Sequence, residues 1–219
     1  MLATHTPLPD IATGPAVFAG EEACLTVALL ASLRVLRSAR PLLIVDGANA
    51  FDPFLIADLA QRAGMAPRSL LDQIRISRVF TCHQLEALLR GRLDEAVRSF
   101  GAGAVFFSGP LDPLLDEDVP AREARRIFGL FPAVLRALAT ARILTVCGCP
   151  PPVAVAGREQ LFPALCALAP WVFEVRRERA GSRQAGPHAE RVIVTCRKPR
   201  ARSWIWEPQI GLFAPRRWW

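Results

Sequence analysis

Hydrophobic period switches repeatedly between residues 15 and 147, and that alternation leaves few folds open. Short runs of Val, Ile, Leu and Phe are each followed by a longer stretch of helix formers. Pro15–Ala19 is the first apolar run, and Glu22–Ser38 after it is long enough for four helical turns before Pro41 closes it. Leu42–Asp46 (LLIVD) stays apolar until its last residue, as a strand buried on both faces does. Pro53–Ala63 reads as a helix closed by Gly64. Ile74–Phe80 is the third strand. Thr81, with Gln84 three residues on, forms a capping box for a helix reaching to about Phe100. Ala104–Ser108 is the fourth strand, and Ile143–Cys147 the fifth. Between them an amphipathic helix is expected over Ala121–Thr140, with Ile127, Leu130, Val134, Leu135 and Leu138 on one side.

Parallel neighbours need a crossover helix, so this order predicts an α/β fold with a mostly parallel sheet flanked by helices. Beyond residue 170, WVFEVRRER, ERVIVTCRK and SWIWEPQIGLF are short strands separated by Gly, Ser, Pro and basic residues, which predicts an antiparallel C-terminal extension on one edge. The 219 residues read as a single domain, with residues 1–13 as a short N-terminal arm and 171–219 as basic strands and tail.

A hydrophobic fraction of 52% excludes a disordered chain. The longest apolar runs, such as Ala102–Phe107, fall far short of the ~20 residues of a membrane span. The first fifteen residues lack a basic start followed by an apolar stretch, so no secretory signal is expected and the chain reads as cytoplasmic. Cys24, Cys82, Cys147, Cys149, Cys166 and Cys196 stand mostly in apolar surroundings, as reduced core cysteines do. Cys147-Gly-Cys149 lacks zinc-knuckle spacing, and neither a metal nor a cofactor is expected. The net charge of +7 lies wholly after residue 170, where eleven basic side chains face four glutamates. Such segregation favours a polyanion partner.

The middle of the chain carries a specific pattern. Asp46 ends a strand and is followed by Phe51, Pro53, Gly64, Pro67, Leu71-Asp72-Gln73-Ile74, Arg78-Val79-Phe80 and His83-Gln84-Leu85. In order and spacing over Leu42–Leu89 this resembles the RecA and RadA recombinase family, in its archaeal and eukaryotic branch. The flanks extend the likeness by pattern alone, to about Gly14–Phe213. The resemblance implies a RecA-like P-loop NTPase core, with Ala104–Ser108 as the Walker B strand and His83 in a structural cap role at a helix start.

The catalytic positions implied by that likeness have lost their chemistry. A phosphate loop of the form GxxxxGK[ST] needs glycines, a lysine and a hydroxyl. Aligned on Thr26, the window 19–26 has Ala19 and Cys24 at the glycine positions and Leu25 at the lysine. Starting the motif at Gly20 does not recover the lysine. Glu21 and Glu22 are expected to face the ligand with like charge, which at ~4 Å repels by about 4 kcal/mol at an effective dielectric near 20. The family's catalytic glutamate falls on Ala48 and its Walker B aspartate on Ser108. Thr26 and Asp46 survive, too few for phosphoryl transfer, so the reading is a pseudo-ATPase.

The family's two DNA-holding loops also depart. The first is acidic here, with Asp112, Asp116, Glu117, Asp118 and Glu123; the second, CPPPVAVAGREQ, has only Arg158. Candidate nucleic-acid contacts are instead C-terminal: Arg176, Arg177, Arg197, Lys198, Arg200, Arg202, Trp204, Trp206, Arg216, Arg217, Trp218 and Trp219. Cations that follow a backbone, interleaved with flat aromatics, suit single-stranded DNA. The expected role is a recombination or DNA repair accessory that binds DNA, a RecA/RadA-type recombinase or another repair protein. A structural partner subunit that uses the fold for dimerisation, a homodimer among the options, and an ATPase with an atypical loop are the alternatives.

Overall fold

A computed structural model of the chain describes residue 11 and residues 14–38, 40–62, 64–150, 155–179, 190–198 and 202–206. Its strands are β1 (Pro15–Gly20), β2 (Leu42–Asp46), β3 (Ile74–Arg78), β4 (Ala104–Ser108), β5 (Leu144–Cys149), β6 (Trp171–Arg179), β7 (Glu190–Lys198) and β8 (Arg202–Trp206). They form one sheet in the spatial order β3-β2-β4-β5-β1-β6-β7-β8. The first six run parallel, while β7 is antiparallel to both β6 and β8.

Helices cover both faces of the parallel part. On one face lie α1 (Ala23–Leu33), which continues as a 3-10 turn over Arg34–Ser38, α2 (Pro53–Arg62) and α3 (Pro67–Leu71). On the other lie α4 (Cys82–Ala87), α5 (Leu93–Phe100), α6 (Ala121–Phe128), α7 (Phe131–Thr140) and α8 (Leu161–Leu168). Strand residues alternate between two cores: Phe18, Ile44 and Phe106 point to the α1 face, Val17, Val45 and Phe107 to the α8 face. Double burial is why the strands read as unbroken apolar runs. Helix α1 is buried on nearly every side and shows no polar stripe; its one buried hydroxyl, Ser32 Oγ, donates to Ala28 O at 2.8 Å.

Several boundaries differ from expectation. The helix expected over Ala121–Thr140 is two, broken at Gly129–Leu130. Pro132 has no N–H to give the Phe128 carbonyl, and its ring crowds that position. The helix expected from Thr81 to Phe100 passes through a π-helical turn at Leu88–Arg92, where Gly91 leaves helical geometry. Neither α3 nor α8 is anticipated by the pattern: α3 has five residues, and α8 starts without a side-chain cap.

Candidate functional site

Ligands of parallel α/β sheets bind outside the carboxyl ends of the strands, so the loops at that edge come first. Between the end of β1 at Gly20 and the start of α1 at Ala23 stand only Glu21 and Glu22. This turn is short for a phosphate cradle, and three of the donors at and just after it are engaged. Glu21 N donates to Val175 O at 3.1 Å, Cys24 N to Glu21 O at 2.8 Å and Leu25 N to Glu22 O at 3.1 Å. The expectation that Glu21 faces a ligand is corrected: its Oε2 accepts the Arg177 backbone N–H at 3.0 Å, which clamps the turn to β6. Gly20 serves the same close approach. Its φ is +124°, and a Cβ there would stand 2.2 Å from Val175 O.

The side chains of the window complete the closure. Leu25, at the lysine position, lies over β5 with its Cδ2 2.9 Å from where a Gly148 Cβ would be. Cys24 is buried, and burial pushes its thiol up to about 12, so it offers no thiolate. Thr26 sits within α1, half-buried.

The ends of β2, β4 and β5 are stitched together beside this turn. Gly47 N and Ala48 N both donate to Ser108 O, at 2.8 and 3.0 Å, and Gly109 N donates to Gly148 O at 2.9 Å. Ala48 and Ser108, expected from the resemblance to stand at the catalytic-glutamate and Walker B positions, therefore touch through their backbones. Asp46 is fully buried and spends its carboxylate locally, accepting from Ala50 N and Phe51 N at 3.1 Å each. These bonds fix the loop from β2 to α2.

A second carboxyl faces Asp46 here. The Asp112 carboxyl folds back over Gly109, whose Cβ position is 2.4 Å from Asp112 Oδ2. Burial, and after it the charge of Asp46, raises this carboxyl from 3.8 to about 6. Native Asp112 thus holds its proton more tightly than the unfolded chain does. The stability it contributes is complete below about pH 4 and is lost as the pH rises through about 6. Asp112→Asn is expected to raise the melting temperature at pH 8 and leave it unchanged at pH 4. The gain is about 1 kcal/mol once the exposure of Asp112 is allowed for. Paired thermal melts at the two pH values check this.

The acidic loop after β4 is folded rather than open. Asp112–Leu114 form a 3-10 turn whose Pro113 and Leu114 are buried. Arg158, from the second loop, reaches across and donates to Asp116 O at 2.6 Å and to Val119 O, while its buried Nε has no partner among the described residues. Residues 151–154 of that second loop lie outside the described residues. At the start of α4 the cap is Thr81 Oγ1, which accepts Gln84 N at 3.2 Å, while Gln84 Oε1 accepts Phe80 N at 2.8 Å. The cap role expected of His83 is corrected accordingly. His83 instead projects toward Glu123, Nδ1 to Oε1 4.0 Å. Ligand-type atoms of His83, Glu86 and Glu123 lie within 4.8 Å of one another. Both carboxylates, however, are engaged by Arg126, and Glu86 also by Arg90; these hydrogen bonds hold the Glu86 carboxyl down to about 2. The group reads as a clamp between α4 and α6.

The basic candidates divide among the antiparallel strands. Opposite Val172–Phe173 the register of β7 slips by one residue, Phe173 pairing with Cys196 and Val172 with Lys198, so Arg197 is the extra residue of a bulge. Its Nε donates to Glu174 Oε2 at 2.8 Å, and Arg176 Nε donates to Glu174 Oε1 at 2.8 Å. Hydrogen bonds first from Arg197 and then from Arg176 hold the Glu174 carboxyl below its ordinary range. Lys198 Nζ donates to Ala167 O on α8 at 3.2 Å, so Arg176, Arg197 and Lys198 gather on the α8 side. Arg177 lies on the neighbouring position, tied by its N–H to Glu21. In register, Arg202 is opposite Cys196, Trp204 opposite Val194 and Trp206 opposite Val192, and those three β7 residues are buried in the core on the α1 face. Arg202, Trp204 and Trp206 thus belong to a separate strand, paired to β7 rather than continuing past the bulge at Arg197. Arg200, Arg216, Arg217, Trp218 and Trp219 lie outside the described residues.

Beside the Glu174 cluster is a pocket of ≈ 390 Å³ that no sequence signal marks, because its walls come from five separate elements. Phe162 and Cys166 of α8, Val172 of β6, Cys149 of β5 and Gly20 of β1 line it, with Arg197 at its margin. No helix of the described residues is long and apolar enough to cross a membrane. Set against models of known protein families and against curated proteins, the chain matches none.

Proposed function

We propose that this chain is a non-catalytic relative of the RecA/RadA recombinases, a pseudo-ATPase acting as an accessory in DNA repair or homologous recombination through DNA, a recombinase partner, or both. The observation that carries the reading is the two-residue turn between β1 and α1. In the resemblance it stands where a phosphate loop would, yet Glu21 N, Cys24 N and Leu25 N are bonded to Val175 O, Glu21 O and Glu22 O, and the residue aligned with the lysine is a packed Leu25. The arrangement of the strands agrees with it. Leu25 in the first turn of α1, Ala48 just past β2 and Ser108 at the end of β4 lie at the carboxyl edge of the parallel strands, as the reading requires.

Arg176, Arg197 and Lys198 supply the polyanion contact. These three cations gather around Glu174 on the α8 side, with Glu178 the next residue after Arg176 on the same face of β6, which leaves a net positive charge there. Fluorescence anisotropy with labelled single-stranded DNA across a salt series tests this. The triple variant Arg176→Ala, Arg197→Ala, Lys198→Ala is expected to lower the slope of log K against log salt by about 2. Absence of salt-sensitive binding in the wild type would refute the DNA role and leave a protein partner.

One observation favours that second reading, a partner subunit without DNA binding. The edge strand β3 carries exposed Ile76, and Phe80 just beyond it and Phe54 of α2 are 61% and 81% exposed.

A further inference from the structure

Resting on the nucleic-acid reading above, we infer that the pocket between α8 and β6 takes up one unstacked base of a single-stranded nucleic acid whose phosphates lie on Arg176, Arg197 and Lys198. Position is the first reason. The chain leaves β1 toward α1 on one face and leaves β5 toward α8 on the other, and β1 and β5 are neighbours. A crevice opens where adjacent parallel strands send their connections to opposite sides. Gly20 and Cys149, at the two strand ends, line the pocket at that point.

The lining is the second reason. Phe162, Cys166 and Val172 present a partly exposed apolar surface, a suitable floor for the flat face of a base. Cys149 and Cys166 act as apolar groups here, since burial raises both thiols and removes thiolate chemistry. A volume of ≈ 390 Å³ falls within the range of small-ligand sites.

Arg197 joins the pocket to the charge cluster. The bulge brings this residue to the pocket margin, and its guanidinium shares Glu174 with Arg176. Arg176, Arg197 and Lys198 outnumber Glu174 and Glu178 on this strand face, which leaves a net positive rim beside an apolar floor. A single strand matches that arrangement, with anionic phosphates outside and a base within. A duplex does not, because its bases are stacked and paired.

Anisotropy with oligo(dT) and with an abasic strand of the same length tests the inference on the unaltered protein. The abasic strand is expected to bind about tenfold more weakly at equal salt slope. Cys166→Trp, which fills the pocket from its partly exposed margin, is expected to reduce oligo(dT) affinity to the abasic level and leave duplex affinity unchanged. Equal binding of the two strands by the wild type, or discrimination that persists in Cys166→Trp, overturns the pocket and leaves the phosphate contacts standing. No salt-sensitive binding of any strand overturns both.

Discussion

Gly20→Val is expected to destabilise the fold by about 4 kcal/mol and to lower the melting temperature by roughly 10 °C. Two costs combine at this position. A side chain at φ +124° is strained, and its Cβ would stand 2.2 Å from Val175 O, a backbone atom held by the β1–β6 pairing. Gly64→Ala separates the two terms, because Gly64 has φ +69° with nothing within 4 Å of a Cβ. That control is expected to cost about 1 kcal/mol. Equal losses in the two variants, measured by thermal melts, would show that contact with β6 contributes nothing at Gly20.

Asp46→Ala is expected to cost about 3 kcal/mol, since it strands the amides of Ala50 and Phe51 that the buried carboxylate accepts. Asp46→Asn keeps an acceptor of similar shape and is expected to cost less than half as much. Denaturant titration of the two variants distinguishes this from a ligand-holding role. If Asp46 served a metal or nucleotide, Asp46→Ala would leave stability intact.

Much of the sheet was legible because double burial leaves a plain mark. LLIVD, AVFFS, WVFEVRRER and ERVIVTCRK are each a strand with the bounds read from the sequence. Thr81 and Gln84 also announced their cap correctly, since a capping box is local chemistry. Where the outcome depended on more distant packing, the sequence was silent or misleading. Pro132 broke a helix whose apolar stripe continued across it, and α8 carries no start signal at all.

The site was legible as a set of losses and not as an arrangement. Leu25, Ala48 and Ser108 could be named only as what the resemblance to the recombinases implies. That Glu21 turns away to cap β6 could not, because Arg177 lies far along the chain. The same limit applied to the basic tail. Arg197, Arg202, Trp204 and Trp206 look contiguous in sequence, but Arg197 is the extra residue of a bulge bonded to Glu174, while Arg202, Trp204 and Trp206 belong to a separate strand. The pocket beside α8 was invisible for the same reason.

Isothermal titration calorimetry with ATP, with and without Mg²⁺, tests the central claim most directly. A turn of two residues, donors bonded to Glu21 O, Glu22 O and Val175 O, and Leu25 packed over Gly148 together predict no heat of binding up to millimolar nucleotide. Mg²⁺-dependent binding in the low micromolar range would contradict the account, for it would require the β1–α1 turn to open and release those donors to a phosphate.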